Sequence, residues 1–209
     1  MKLGEIKAQA ITIMFPQATI KLDTSSDEGI IRAIYEMKSN PNFESILEGS
    51  IGAINRAFSY IELNDLSETK CVDVPSSLCK RQNDKILLPK ENDLLRVERV
   101  LFHTYDKAIQ QEFDIGNEGI LTKYRQGVYT VIYKRKIPRI TSVTSDAYEP
   151  ELPYGMAEYI PYFIASDLAR DENEALAKYA LDHFENGIKA LKGNEAPCSQ
   201  CFEIVYRWD

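Results

Sequence analysis

The apolar spacing of this chain changes period twice, and that constrains its fold more than any single motif. From Leu3 to about Leu63, and again from Leu152 to Leu191, hydrophobic residues recur every three or four positions. Between the two blocks they tend to alternate. Helical spacing lays an apolar stripe along a helix, whereas alternation gives a strand one buried face. Two helix-period blocks flanking a strand-period block predict an α+β chain: a bundle of about five helices interrupted by an inserted antiparallel β domain. Residues 1–63 and 148–193 form the discontinuous bundle in this reading, 64–147 the insertion, and 194–209 a strand-like C-terminal tail.

The helical signal is clearest in LPYGMAEYIPYFIASDLARDENEALAKYALDHFENGIKAL, residues 152–191. Met156, Tyr159, Ile160, Phe163, Ile164 and Leu168 line one helix. Leu176, Tyr179, Ala180, Phe184, Ile188 and Leu191 line the next, and Arg170-Asp171-Glu172-Asn173 makes the turn, with Asp171 placed to cap the second helix. At the other end, Leu3, Ile6, Ala10, Ile13 and Met14 share a face ahead of Pro16. Ser25, Ser26 and Asp27 cap a short second helix with apolar positions 30, 31, 34 and 37, and Asn40-Pro41 opens a third running from Phe43 to about Leu63. Gly49, Gly52 and Ala53 give that helix a small-residue surface. It suits a tight crossing within the chain or a contact between subunits, or is tolerated drift.

β-branched and aromatic residues mark strands at Lys85–Pro89, Leu94–Phe102 and Gly127–Tyr133. Asn83-Asp84, Glu91-Asn92-Asp93, Gly116-Asn117-Glu118-Gly119 and Gln126-Gly127 supply turns. The insertion therefore reads as a small antiparallel sheet or barrel. Tyr105 to Phe113 alternates poorly and reads as a loop or an exposed hairpin arm. Lys134-Arg135-Lys136, near Tyr124, reads as a solvated strand end rather than a nucleic-acid contact.

The formal charge of −7 argues against a general nucleic-acid binder. No apolar run approaches the roughly 20 residues needed to span a bilayer, and Glu5, Lys7 and Gln9 interrupt the one short N-terminal patch, so neither a membrane nor secretion is expected. The four cysteines, a Cys198-x-x-Cys201 pair plus Cys71 and Cys79, read first as ordinary thiols. A zinc site joining both pairs, or redox or disulfide use, are the alternatives. No phosphate-binding loop, dinucleotide fingerprint, nucleophile elbow or HExxH pair is present. Asp171, Glu172 and Glu174 suit the positive end of a helix dipole. His103 and His183 read as packing or surface groups. No catalytic residue, cofactor or metal is expected.

The tail, Cys201-Phe202-Glu203-Ile204-Val205-Tyr206-Arg207-Trp208-Asp209, carries the only tryptophan. Such apolar surface calls for cover, from the chain's own sheet or by adding a strand to a neighbour.

This organisation resembles the head-to-tail adaptor (connector) proteins of tailed bacteriophages. The resemblance rests on the first helix with the Phe43–Leu63 helix, on the hairpin Ala157–Leu168 with Asp171-Glu172 and Ala177–Ala180, and on the aromatic tail. It implies a structural virion protein in the neck, assembled in the host cytoplasm as a ring, typically of twelve copies, beneath the portal, with genomic DNA passing nearby. It also implies that Phe202, Ile204, Val205, Tyr206 and Trp208 dock into the portal, while the insertion meets further neck or tail proteins. A tail-completion or baseplate component is the runner-up. A hydrolase using Asp106, Glu112 and Asp114 is the remaining alternative.

Overall fold

The structure is a computed structural model and describes residues 1–18, 20–153 and 155–194. Helices α1 (Leu3–Met14), α2 (Asp27–Met37) and α3 (Pro41–Leu63) come first. Eight strands follow: β1 (Thr69–Pro75), β2 (Lys80–Gln82), β3 (Lys85–Leu88), β4 (Leu94–His103), β5 (Ala108–Gln111), β6 (Phe113–Ile115), β7 (Ile120–Lys123) and β8 (Val128–Arg135). Helices α4 (Ile160–Ala169) and α5 (Glu174–Asn194) close the order. Among the described residues the chain is thus α+β, with five α-helices and two antiparallel sheets. It divides into a helical unit, residues 1–66 with 137–194, and a β unit, residues 67–136.

Four helix ends have a local cause. Ser26 Oγ accepts the Gly29 N–H at the start of α2, and Asn40 Oδ1 accepts from Asn42 ahead of Pro41 on α3. α3 ends in a left-handed residue, Asp65 at φ 62°. There the Leu66 N–H returns to the Ile61 carbonyl at 3.0 Å and the Asp65 N–H to Glu62 at 3.2 Å, the Schellman pattern, with Leu66 folded into the core. Asn173, not Asp171, caps α5: its Oδ1 accepts the Leu176 N–H at 3.0 Å. The turn after α4 uses the Ala169 carbonyl to hold the N–H groups of Glu172 and Asn173, which leaves Asp171 too far from the first turn of α5.

The core of the helical unit gathers Leu3, Ile6, Ala53, Ile54, Phe58, Ile61, Ile160, Ile164, Phe184 and Ile188, all essentially buried. Tyr60, Phe163 and Phe184 meet as an aromatic cluster, with Phe184 edge-on to both others at ring-centroid distances of 5.3 and 5.0 Å. On α3, a Cβ at Gly49 would lie 3.0 Å from Leu168 of α4, so of the three readings of the small-residue surface the intrachain crossing applies there. A Cβ at Gly187 would lie 2.0 Å from the Tyr159 ring, so glycine is what lets α5 approach that side chain. Tyr179 is a correction. It is 60% exposed, because the buried line of α5 runs through Ala177, Ala180, Phe184 and Ile188 and leaves Tyr179 outside.

Residues 137–147, which the apolar pattern assigns to the insertion, belong to the helical unit instead. Ile137 and Ile140 enter its core. Asn55 of α3 receives the Ile140 N–H at 3.0 Å and donates to the Ile140 carbonyl at 2.9 Å, imitating one rung of a strand ladder. Further along, the Leu3 and Gly4 N–H groups donate to the carbonyls of Tyr148 and Asp146, and Lys7 Nζ meets Asp146 at 2.7 Å in a largely buried pair. The opening residues of α1, whose N–H groups have no intrahelical acceptor, are thereby satisfied.

In the β unit, β1-β8-β4-β5 form one antiparallel sheet and β2-β3-β7-β6 a second. They share one core: Val74, Val97, Val100, Phe102, Tyr129, Val131 and Tyr133 from the first, and Ile86, Leu88 and Ile120 from the second. The sequence reading expected one sheet or barrel, and the strands it missed are mostly three or four residues long. Strand β4 explains itself once its register is known. Its pairing with β8 slips between Leu94 and Arg96 and again between Val97 and Arg99. Each slip inserts a residue, so Leu94, Val97 and Val100 bury at a spacing of three although the segment is a strand. The ambiguous stretch 105–113 is β5 with its turns, closed at Thr104 by two bonds to the Lys107 carbonyl.

Candidate functional site

The residues expected to dock, Phe202, Ile204, Val205, Tyr206 and Trp208, lie outside the described residues, so the described surfaces must be taken on their own merits. On the helical unit, Tyr159, Tyr162 and Tyr179 surround His183. The Tyr162 ring is 4.1 Å from the imidazole by centroids, and the Tyr179 ring stacks near-parallel at 6.1 Å. This patch arises because His183 follows Tyr179 by one helical turn and faces α4 beside the buried line of α5. Its chemistry is that of an amphipathic contact surface.

On the β unit, three strands bring Asp73, Thr130 and His103 together. Thr130 donates its hydroxyl proton to Asp73 Oδ1 and lies 2.6 Å from His103 Nε2. With that proton committed to the carboxylate, the imidazole must be the donor to Thr130, which sets its tautomer with the proton on Nε2. Thr130 is buried, and the trio ties β1, β8 and β4 together.

The Lys134-Arg135-Lys136 run is not a solvated strand end. Lys134 is buried, with Nζ donating to the Ser67 carbonyl at 2.9 Å, and Arg135 bridges Glu68 and Asp93. Only Lys136 is exposed. Asp93 also accepts from Tyr133 Oη at 3.0 Å and from Lys70 at 3.2 Å. Burial raises the Asp93 carboxyl, but the bonds from Tyr133 and Lys70 outweigh it and leave its pKa below the usual value. Burial, reinforced by Asp93, pushes the Tyr133 phenol from 10.0 up to about 12. The two act at opposite ends of the pH scale. Asp93 contributes stability above the ordinary carboxylate range, lost as pH falls through its lowered value. Tyr133 contributes stability that is complete below pH 10 and fades as pH climbs through about 12. The urea midpoint is therefore expected to fall steeply across that alkaline window, and Tyr133→Phe to make the fall shallower. An unchanged slope in the variant would show that Tyr133 ionises as freely in the folded chain as in the unfolded one.

The carboxylates weighed for hydrolysis do not converge. Asp106 is in the β4–β5 turn, Glu112 lies between β5 and β6, and Asp114 on β6 pairs with Lys85 at 3.3 Å. Among the described residues no group of three or more His, Cys, Asp or Glu is arranged to hold a metal ion. Cys71 is disulfide-bonded, which corrects the reading of it as an ordinary thiol, while Cys79 is a free, half-buried thiol whose pKa burial pushes up. Among the described residues no helix is long and apolar enough to cross a membrane.

A basic row on the second sheet escaped the sequence reading. Lys85 and Lys123 sit directly opposite each other on β3 and β7, and Lys80 faces the same side from β2. β2 and β7, which carry Lys80 and Lys123, are too short to be recognised by period, and β3, legible as a strand at Lys85–Pro89, shows its partner lysines only through its pairing.

What the described residues define is therefore a mixed α+β protein with two antiparallel sheets and a helical core. No protein-family model matches the sequence, and no curated protein matches it significantly.

Proposed function

We propose that this chain is a structural virion protein, a head-to-tail adaptor that assembles as a ring beneath the portal of a tailed bacteriophage. The observation that supports this reading best is the architecture around α4 and α5. A hairpin opened by Pro161-Tyr162-Phe163 packs on α1 and α3, with an eight-strand unit inserted between α3 and α4. That is the arrangement the resemblance implies. A heterologous ring lets each copy use two different surfaces and close without a free edge. The exposed Tyr179 and His183, with the half-buried Tyr159 and Tyr162 beside them, suit burial against another chain.

The test uses the full chain and the portal protein of the same virus. Purified together, they are expected to appear in negative-stain images as stacked rings. Deleting residues 202–209 is expected to abolish portal binding and leave the helical circular-dichroism signal nearly unchanged. Dispersed monomers of the intact chain, with no affinity for the portal, would overturn the adaptor reading. Equal affinity before and after truncation would remove the tail from the mechanism.

A further inference from the structure

The charge of this protein is unevenly divided between its two units. Residues 67–136 contain thirteen Lys and Arg against ten Asp and Glu, whereas residues 1–66 with 137–194 contain eleven against nineteen. The excess positive charge of the β unit has an identifiable outlet on the outer side of the second sheet.

That side follows from register. Ile86, Leu88 and Ile120 point into the core, so Lys85, Leu87, Leu121 and Lys123 point away from it. Lys85 pairs with Lys123, Leu87 with Leu121, and Lys80 with Leu87. All three lysines are exposed, and the two leucines between them are half-exposed. Among the described residues, Lys80 and Lys123 have no ion pair, and Lys85 has only the exposed Asp114. Like charges directly opposite on neighbouring strands destabilise a sheet. Such a pair is better tolerated when an anionic surface covers it. Arg81, paired with Ile86, lies on the other face of the sheet, where its guanidinium stacks 4.3 Å above the Tyr124 ring, and is not part of this row.

We infer that the Lys80–Lys85–Lys123 face of the second sheet docks on the acidic helical unit of a second copy of this chain. Two observations select that occupant. Every copy carries the matching excess of carboxylates, so the contact needs no further partner and repeats head to tail. The leucine pair among the lysines makes the face part apolar, as protein contacts are, whereas a nucleic-acid backbone would be tracked by charge and hydrogen bonds alone. The inference rests on the ring reading only in requiring two different surfaces of one chain to meet.

The experiment compares wild type with the triple variant K80E/K85E/K123E, full-length, by sedimentation velocity at low and at moderate salt. Circular dichroism checks that both are folded. Wild-type self-association is expected at low salt and to weaken as salt screens the contact. The variant is expected to associate about tenfold to a hundredfold more weakly. A zero-length carbodiimide cross-linker applied to mixed light and heavy isotope-labelled wild type then maps the contact. Mixed-isotope cross-links should join Lys80, Lys85 or Lys123 to carboxylates of residues 1–66 or 137–194. Single-isotope links only, association equal in the variant and wild type, or a wild type that stays monomeric at low salt would each overturn the inference. So would duplex DNA binding that competes with self-association and is lost in the variant, which would reassign the face to nucleic acid. Rings formed normally on the portal by the triple variant would sink this contact alone and leave the adaptor reading standing.

Discussion

Phe184→Ala is expected to cost about 3–5 kcal/mol and to lower the melting temperature by roughly 10–20 °C. The side chain is fully buried, and its ring edge meets both Tyr60 and Phe163. Truncation removes the ring's own transfer free energy and leaves a cavity among three helices that meet at fixed spacing. The tight approach of α5 at Gly187 and of α3 at Gly49 limits how far those helices can collapse into the space. Urea unfolding followed by the helical circular-dichroism signal measures the loss. Tyr179→Ala, five residues earlier on the same helix, is the control: that side chain is 60% exposed, and its removal should change stability by less than about 0.5 kcal/mol. Equal effects of the two substitutions would mean that the aromatic cluster is not the centre of the helical core.

Asn55→Ala is expected to be the next most damaging change, at about 2–4 kcal/mol. One amide side chain satisfies both backbone groups of Ile140, which is itself 3% exposed. Alanine leaves that N–H and that carbonyl without their partner in a place water reaches poorly. Two losses follow: stability in urea, and protection of the Ile140 amide against hydrogen exchange. Ser59→Ala, one turn further on α3, removes an exposed contact to Arg139 and should cost far less. If the Ile140 amide exchanged at the same rate in wild type and Asn55→Ala, the bond would carry no weight in holding residues 137–147 to the helices.

These two residues also mark where the sequence stops being informative. Phe184 was legible: it falls at helical spacing with Ala180 and Ile188, and the period alone places it in a core. Asn55 was not. A polar residue on a helix looks like surface until a distant extended segment supplies its partner, and that segment, 137–147, lacks a period of its own. The same failure produced the displaced domain boundary. In β4 the bulges gave a strand a spacing of three, which mimics a helix turn, although the β-branched content still pointed to a strand. Lys134 and Arg135 looked like a solvated run because charge is local in sequence, while their partners Ser67, Glu68 and Asp93 come from other segments.

The amino-acid order alone determined the α+β class, a bundle of about five helices, a change of period after residue 63 and the absence of familiar nucleotide and metal motifs, because period and end-capping act over a few residues. Tertiary structure decided the rest: two sheets instead of one, Asn173 as the α5 cap, the outward-facing lysine row, and the His103 tautomer. Each of these depends on which backbone lies opposite a given side chain, and short strands and irregular segments acquire their neighbours only when the whole chain has folded.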